Sequence, residues 1–125
     1  MNQIQEIEER RGEILQEMGR IKSLRRGSIT KQYLKVRPRG KKAAVVRGPY
    51  YVLSRGEGGK TVSRRLTSEA EVTRAREEVA AHRRFRELCG EFEELTERLG
   101  ELCRLEEAAG AEKKRRKSRW SGTRR

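Results

Sequence analysis

The residues of this 125-residue chain whose types and spacing suit a chemical task are the lysines and arginines interleaved with tyrosine between positions 31 and 65. Lys31, Lys35, Arg37, Arg39, Lys41, Lys42, Arg47, Arg55, Lys60, Arg64 and Arg65 share that stretch with one acid, Glu57, and with Tyr50 and Tyr51. Cations at this density neutralise phosphates, and Tyr50 or Tyr51 among them suits packing on a sugar or base, so the pattern fits nucleic acid. Such cations mostly position a protein on the backbone, so no sequence preference is legible. A second basic run, Lys113, Lys114, Arg115, Arg116 and Lys117, leads to Trp120, the single tryptophan. It adds nonspecific avidity, and the indole is read either as a base-stacking group or as incidental.

Catalysis finds little support. His82 is the one histidine and falls in a helical pattern among arginines, where a solvated helix residue is the simpler reading. Gly56-Glu57-Gly58-Gly59-Lys60 lacks the spacing of a phosphate loop and reads as a turn. Cys89 and Cys103 lie 14 residues apart, about 21 Å along one helix, too far for a bond within the chain. They read as reduced thiols packed as small hydrophobes. The expectation is a protein that is not an enzyme and has no cofactor or metal.

The net charge of +13 is segregated. Residues 1–17 carry five acids and two bases, 18–68 one acid and fifteen bases, 69–112 thirteen acids and seven bases, and 113–125 eight bases. A basic module flanked by interaction helices accounts for this better than a mixed solvated surface. With 33% hydrophobic and 41% charged residues a large core is out of reach, and partner surface or self-association is the usual remedy. Uninterrupted apolar runs such as Ala43–Val46 are too short to span a membrane. No secretory signal is legible in the polar, acidic start, so the expected location is cytoplasmic, nucleoid-associated if the partner is DNA.

The elements that must position these residues are a helix, a small sheet and a second helix. Ile4, Ile7, Ile14, Met18 and Ile21 mark a helix from 2 to about 25, weakened by Gly12 and Gly19. It fits equally a cover for the core or half of a coiled coil. Ile29–Arg37 reads as a strand, Pro38–Lys42 as a basic turn, and Ala43–Val46 as a short extended piece. Tyr50–Leu53 and Thr61–Val62 form a hairpin around a Gly-rich loop of about five residues, opened by Pro49. With Ser54 opposite Thr61, Tyr51, Leu53, Val62 and Arg64 share one face, and Tyr50, Val52, Ser63 and Arg65 the other; the pattern leaves open which is buried. Ser68 with Glu71 starts a helix that Ala108-Ala109-Gly110-Ala111 closes. Val72, Ala75 and Val79 suit the sheet, whereas Phe85, Leu88, Phe92, Leu95, Leu99 and Leu102 form a heptad stripe needing the first helix or a second chain. The two phases shift near His82, where the helix bends or changes partners.

The expected class is α+β, with a three-stranded antiparallel sheet and coiled-coil dimerisation through the long helix. The segments are an amphipathic helix over 1–26, a basic β-meander over 27–67, a long helix over 68–110 and a disordered basic tail over 111–125.

Gly27-Ser28-Ile29, Tyr33, Gly48-Pro49-Tyr50-Tyr51, Gly58-Gly59-Lys60, Arg64 or Arg65, Glu69 and Arg83-Arg84-Phe85-Arg86-Glu87-Leu88 carry a resemblance. The chain resembles a family of short uncharacterised bacterial and archaeal proteins, a domain of unknown function often found near transposase genes. Many of its members show a C-x4-C-x-C run and a histidine with zinc-knuckle spacing. Val36, Lys41, Ala43 and Arg47 stand there in this chain, so no zinc is expected. The strands are also similar to the three-stranded arm-type DNA-binding domains of phage integrases, an analogy of fold alone.

These readings converge on a small basic nucleic-acid-binding accessory protein, with DNA preferred to RNA as partner because the resemblance implies a mobile-element association. The alternative is an interaction protein whose helices form a homodimer or dock on a helical partner such as a transposase or recombinase. A ribonucleoprotein component shares the charge pattern.

Overall fold

The computed structural model describes residues 2–40 and 42–123, with side chains as far as Lys117. Its elements are α1 (Gln3–Arg20), β1 (Ser28–Val36), β2 (Val45–Glu57), β3 (Lys60–Leu66) and α2 (Glu69–Thr123), the expected α+β order. They make two compact units, one from Ile21 to Arg86 and one combining residues up to Arg20 with those from Glu87 onward. The change of partner expected along the second helix near His82 thus falls at Arg86.

The first unit is an antiparallel sheet in the order β1-β2-β3 with the start of α2 packed on it. Ser54 pairs with Ser63, two residues from the expected register, and Glu57 pairs with Lys60. The loop is therefore two residues, Gly58-Gly59, with φ of +57° and +80°. Both central residues of such a tight turn take positive φ to match the strand twist, which a Gly-Gly pair allows without strain. A shift of two leaves the faces unchanged, and the buried one carries Leu53, joined by Leu66. Leu53, Leu66, Ala75 and Val79 form the core, with Ile29, Tyr51 and Val72 packed around them.

Pro49 does not open a strand. β2 is the central strand and begins at Val45, so the segment expected as a separate extended piece joins it directly. The register with β1 slips between Gln32 and Leu34, where Gly48-Pro49 stands opposite Tyr33. Such a bulge is where a central strand tolerates a residue that cannot donate to the ladder. The Gly48-Pro49 peptide is cis.

α1 stops at Arg20, short of the expected end near 25, and residues 21–27 form a strap without regular secondary structure that Arg25 ties to α2. The Asn2 side chain caps α1 by accepting the Gln5 N–H at 2.8 Å, with the Gln5 side chain reaching back to the Asn2 N–H. At α2 the Ser68 hydroxyl accepts the Glu71 N–H at 3.1 Å, as expected, while the Glu71 carboxylate accepts the Thr67 N–H and hydroxyl at 2.8 and 3.1 Å.

In the second unit Ile14 and Leu88 are fully buried. Ile4, Ile7, Met18, Phe92, Leu95, Leu99 and Leu102 are half-buried, so α1 supplies cover for the α2 stripe; Phe85 belongs to the sheet unit. The Arg10 guanidinium donates to both oxygens of Glu91 at 2.5 and 2.8 Å, and that of Arg11 lies 4.8 Å from the Phe92 ring centroid and donates to Thr96. The pair with Glu91, then that with Glu13, holds Arg10 above the usual arginine range. α2 does not close at Gly110 but continues through Glu112–Lys117, where a disordered tail was expected. Alanine is the strongest helix former, one glycine costs about 1 kcal/mol, and Glu112 pairs with Arg116 one turn on at 3.4 Å.

Candidate functional site

α2 covers one face of the sheet and leaves the other open. The uncovered face carries Thr30 and Gln32 from β1, Tyr50, Val52 and Ser54 from β2, and Ser63 and Arg65 from β3. Tyr50, Val52 and Ser54 are half-buried and the others exposed. Ser54 and Ser63, directly opposite, share a hydroxyl hydrogen bond of 2.9 Å. The Arg65 guanidinium lies 3.7 Å from the Tyr50 ring centroid, closer than the other described cation–aromatic pairs. No carboxylate residue stands on this face among the described residues, since Glu57 alternates to the other side.

β3 pairs only with Tyr51–Glu57, so beyond the bulge β1 and β2 continue past it as a two-stranded ribbon. Leu34 opposes Arg47, Lys35 opposes Val46 and Val36 opposes Val45 before a loop bearing Arg37, Arg39 and Lys42. Lys35, Arg37, Arg39, Lys42 and Arg47 are all exposed, and none has a carboxylate within ion-pair distance among the described residues. Tyr33, Leu34, Val45 and Val46 are exposed beside them. Gly48 stands at the bulge from which this ribbon continues: its φ is +135°, and a Cβ there would sit 3.0 Å from the Gln32 carbonyl oxygen.

The remaining expected residues are distributed elsewhere. Lys31 and Tyr51 lie on the helix side and line a depression of about 310 Å³ with Ile29, Arg76, Val79 and Arg83. Arg64 also lies on that side, in a depression with Arg25, Glu71 and Arg74. Arg55 pairs with Glu57 at 3.4 Å near the hairpin turn, and Lys60 is exposed beside it. Lys113, Lys114, Arg115, Arg116 and Lys117 are exposed on α2 in the other unit. Lys41 and the Trp120 side chain lie outside the described residues.

Arg76 and Arg83 are not among the cations that the sequence singles out for binding, although Arg83 falls in the run that carries the resemblance. Arg76 places its guanidinium 5.2 Å from the Tyr51 ring centroid and lines a depression of about 710 Å³ with Tyr50, Tyr51, Arg65 and Glu69 at the start of α2. The Val72-Ala75-Val79 stripe was the available signal, because it fixes the buried side of α2 and therefore which arginines flank it.

Two carboxylates knit the site to its support. Hydrogen bonds from Thr67, then the charges of Arg64 and Arg25, hold Glu71 below the usual carboxylate range. A hydrogen bond from Ser23, then Arg25 and Arg74, does the same for Glu78. His82 is half-buried. Among the described residues no cluster of three His, Cys, Asp or Glu is placed to hold a metal ion, and no helix is long and apolar enough to cross a membrane.

No curated protein and no solved structure matches the chain. A family model described as a domain of unknown function, DUF6788, matches residues 4–79, taking in most of α1, the whole sheet and the start of α2. That match covers more than half of the sequence and includes the GPYY and GGK elements but not Arg83–Leu88, and the chain belongs to the DUF6788 family.

Proposed function

We propose that the protein is a nucleic-acid-binding accessory protein that contacts phosphates through its β1–β2 ribbon and loop. The observation that carries this reading is the ribbon itself, five described cations with no carboxylate partner. Unpaired cations on an exposed ribbon leave counterion release on binding phosphate as their available gain. Duplex DNA is the better partner than RNA, because the resemblance points to mobile elements and because the wide major groove of B-form DNA is open to protein side chains where that of A-form RNA is not. The GPYY and GGK resemblance supports a role beside mobile elements and a location on the nucleoid. Lys113–Lys117 add nonspecific contacts.

Fluorescence anisotropy against labelled duplex DNA, single-stranded DNA and structured RNA, each over a range of salt, tests the reading. Log affinity for duplex falls linearly with log salt, with a slope of about −0.9 per phosphate contacted. Removal of residues 113–125 leaves binding measurable, whereas charge reversal of Arg39 and Lys42 abolishes most of it. Binding lost with the tail, or absent throughout at low salt, overturns the assignment.

A second reading, assembly with a second copy through the helices, is favoured by an apolar groove of about 550 Å³ in the helical unit, lined by Leu15, Met18, Cys89, Phe92 and Thr96 and edged by Glu93 and Glu97. Two helices make half of a four-helix bundle, and a second pair completes it. Light scattering at tens of micromolar decides between monomer and dimer.

A further inference from the structure

Arg65 is set apart from the other cations of the sheet unit. Arg64, one residue earlier, faces the helix beside Glu71, Arg55 pairs with Glu57, and Arg74 with Glu78. Arg65 has no ion pair among the described residues, and its guanidinium is held 3.7 Å from the Tyr50 ring centroid on the uncovered face. Ribbon cations such as Arg39 and Lys42 are exposed on a loop, as suits groups that follow a phosphate backbone. A guanidinium held on a ring has given up much of its rotational freedom before binding, and its planar fork still presents N–H groups along the open edge. Its neighbours on the face, Gln32, Thr30, Ser54 and Ser63, are uncharged hydrogen-bonding groups, so the strands combine one fixed cationic fork with neutral donors and acceptors; Glu69, at the start of α2, lines the depression beside Arg65 together with Arg76.

We propose that this face enters the major groove of duplex DNA and that Arg65, positioned by Tyr50, reads a guanine. The inference rests on the nucleic-acid reading above and adds a specificity residue to it. With strands about 4.8 Å apart the axes of the outer strands lie about 10 Å from one another, and it is the side chains of the open face, not the whole sheet, that reach into a groove about 12 Å wide. In the groove guanine offers O6 and N7 as adjacent acceptors, and a guanidinium donates one N–H to each, a match that no other base edge makes. Ribbon and face then divide the work: the ribbon supplies affinity and salt dependence, and Arg65 supplies preference.

Selection of binding sites by the full-length chain from a randomised duplex pool, followed by anisotropy on the selected site and on single-base changes, tests this. The wild type selects a guanine at one fixed position and loses about tenfold in affinity when that base is changed. Arg65→Lys and Arg65→Gln, both at an exposed position, bind the original and changed sites equally, while their salt slopes stay within about one of the wild type. Tyr50→Phe keeps the preference and Tyr50→Leu weakens it. Wild-type binding that depends on salt but shows no base preference overturns the inference and leaves the nucleic-acid reading standing, and so does a preference that survives Arg65→Gln. Tighter binding to single strands than to duplex also overturns it, and flat titrations with every nucleic acid overturn both.

Discussion

Arg25 and Glu78 meet twice. The Arg25 backbone N–H donates to the Glu78 carbonyl oxygen at 3.0 Å, and its guanidinium donates to the Glu78 carboxylate, also at 3.0 Å. Ser23 donates to the other carboxylate oxygen at 2.7 Å, so one glutamate of α2 ties down the strap that leads into β1. Backbone groups of a segment without regular secondary structure need partners, and for Arg25 the helix supplies one. Arg74, one turn before Glu78, joins the same carboxylate at 3.2 Å.

Stability should therefore fall in acid through Glu78 and Glu71. Both carboxyls sit below their ordinary value of 4.5 in the folded chain, so the unfolded chain binds more protons as pH drops. Their contribution is complete above about pH 4.5 and is lost as pH falls through the folded values. Thermal unfolding followed by circular dichroism should give a midpoint nearly level from about pH 7 to 5 and falling below that. Glu78→Gln lowers the plateau and flattens the acid limb. An acid limb identical to the wild type would mean that the strap is held by other contacts.

The glycines of β2 and its turn are not equivalent. Gly58 at φ +57° occupies a left-handed conformation that alanine reaches at a cost of about 1 kcal/mol. Gly48 at φ +135° lies where side chains are essentially excluded, and a Cβ would meet the Gln32 oxygen at 3.0 Å and Tyr33 at 3.2 and 3.3 Å. Urea unfolding should show Gly48→Ala costing about 2 kcal/mol or more and Gly58→Ala about half of that. Equal costs would place the constraint in the turn and not at the bulge.

The fold was legible where pattern and period agree. The Val72-Ala75-Val79 stripe marked the part of α2 that packs on the sheet, and the Leu88–Leu102 stripe marked the part that pairs with α1. Tyr51 and Leu53 were placed on one face, but a period of two carries no sign, and only the position of α2 shows that this face is inside. The two-residue turn is not legible because Gly56 to Lys60 contains three glycines, and composition does not say which pair takes positive φ. The usual rule for strands puts Pro49 at the start of one, and the bulge opposite Tyr33 overrides it. The cations were legible as a group, yet their division into ribbon, open face and helix side depends on register. The placement of Arg76 is not legible because the ring it lies beside, that of Tyr51, is on another element.

Charge on the ribbon and charge at the hairpin should separate in salt titrations. If the ribbon follows phosphates as proposed, Arg39→Ala with Lys42→Ala should lower the magnitude of the slope by about two, with affinity falling alike for all sequences. Arg55→Ala removes a cation already paired with Glu57 at 3.4 Å and should change the slope little. A slope that responds as strongly to Arg55 as to Arg39 would move the phosphate path from the ribbon to the hairpin.

Ile14 and Leu15 are adjacent in sequence and opposite in environment: Ile14 is 0% exposed and Leu15 is 55% exposed beside the apolar groove of the helical unit. Ile14→Ala leaves a cavity and should cost about 2–5 kcal/mol in urea unfolding, whereas Leu15→Ala should stay within about 0.5 kcal/mol in a monomer. Leu15 therefore reports on assembly without disturbing the unit that carries it. If two copies meet through the groove, Leu15→Glu places a charge in their interface, and the mass by light scattering should drop from dimer to monomer with the far-ultraviolet spectrum unchanged. A wild-type chain that is already monomeric at tens of micromolar, or a dimer indifferent to Leu15→Glu, would leave this groove without a role in self-association.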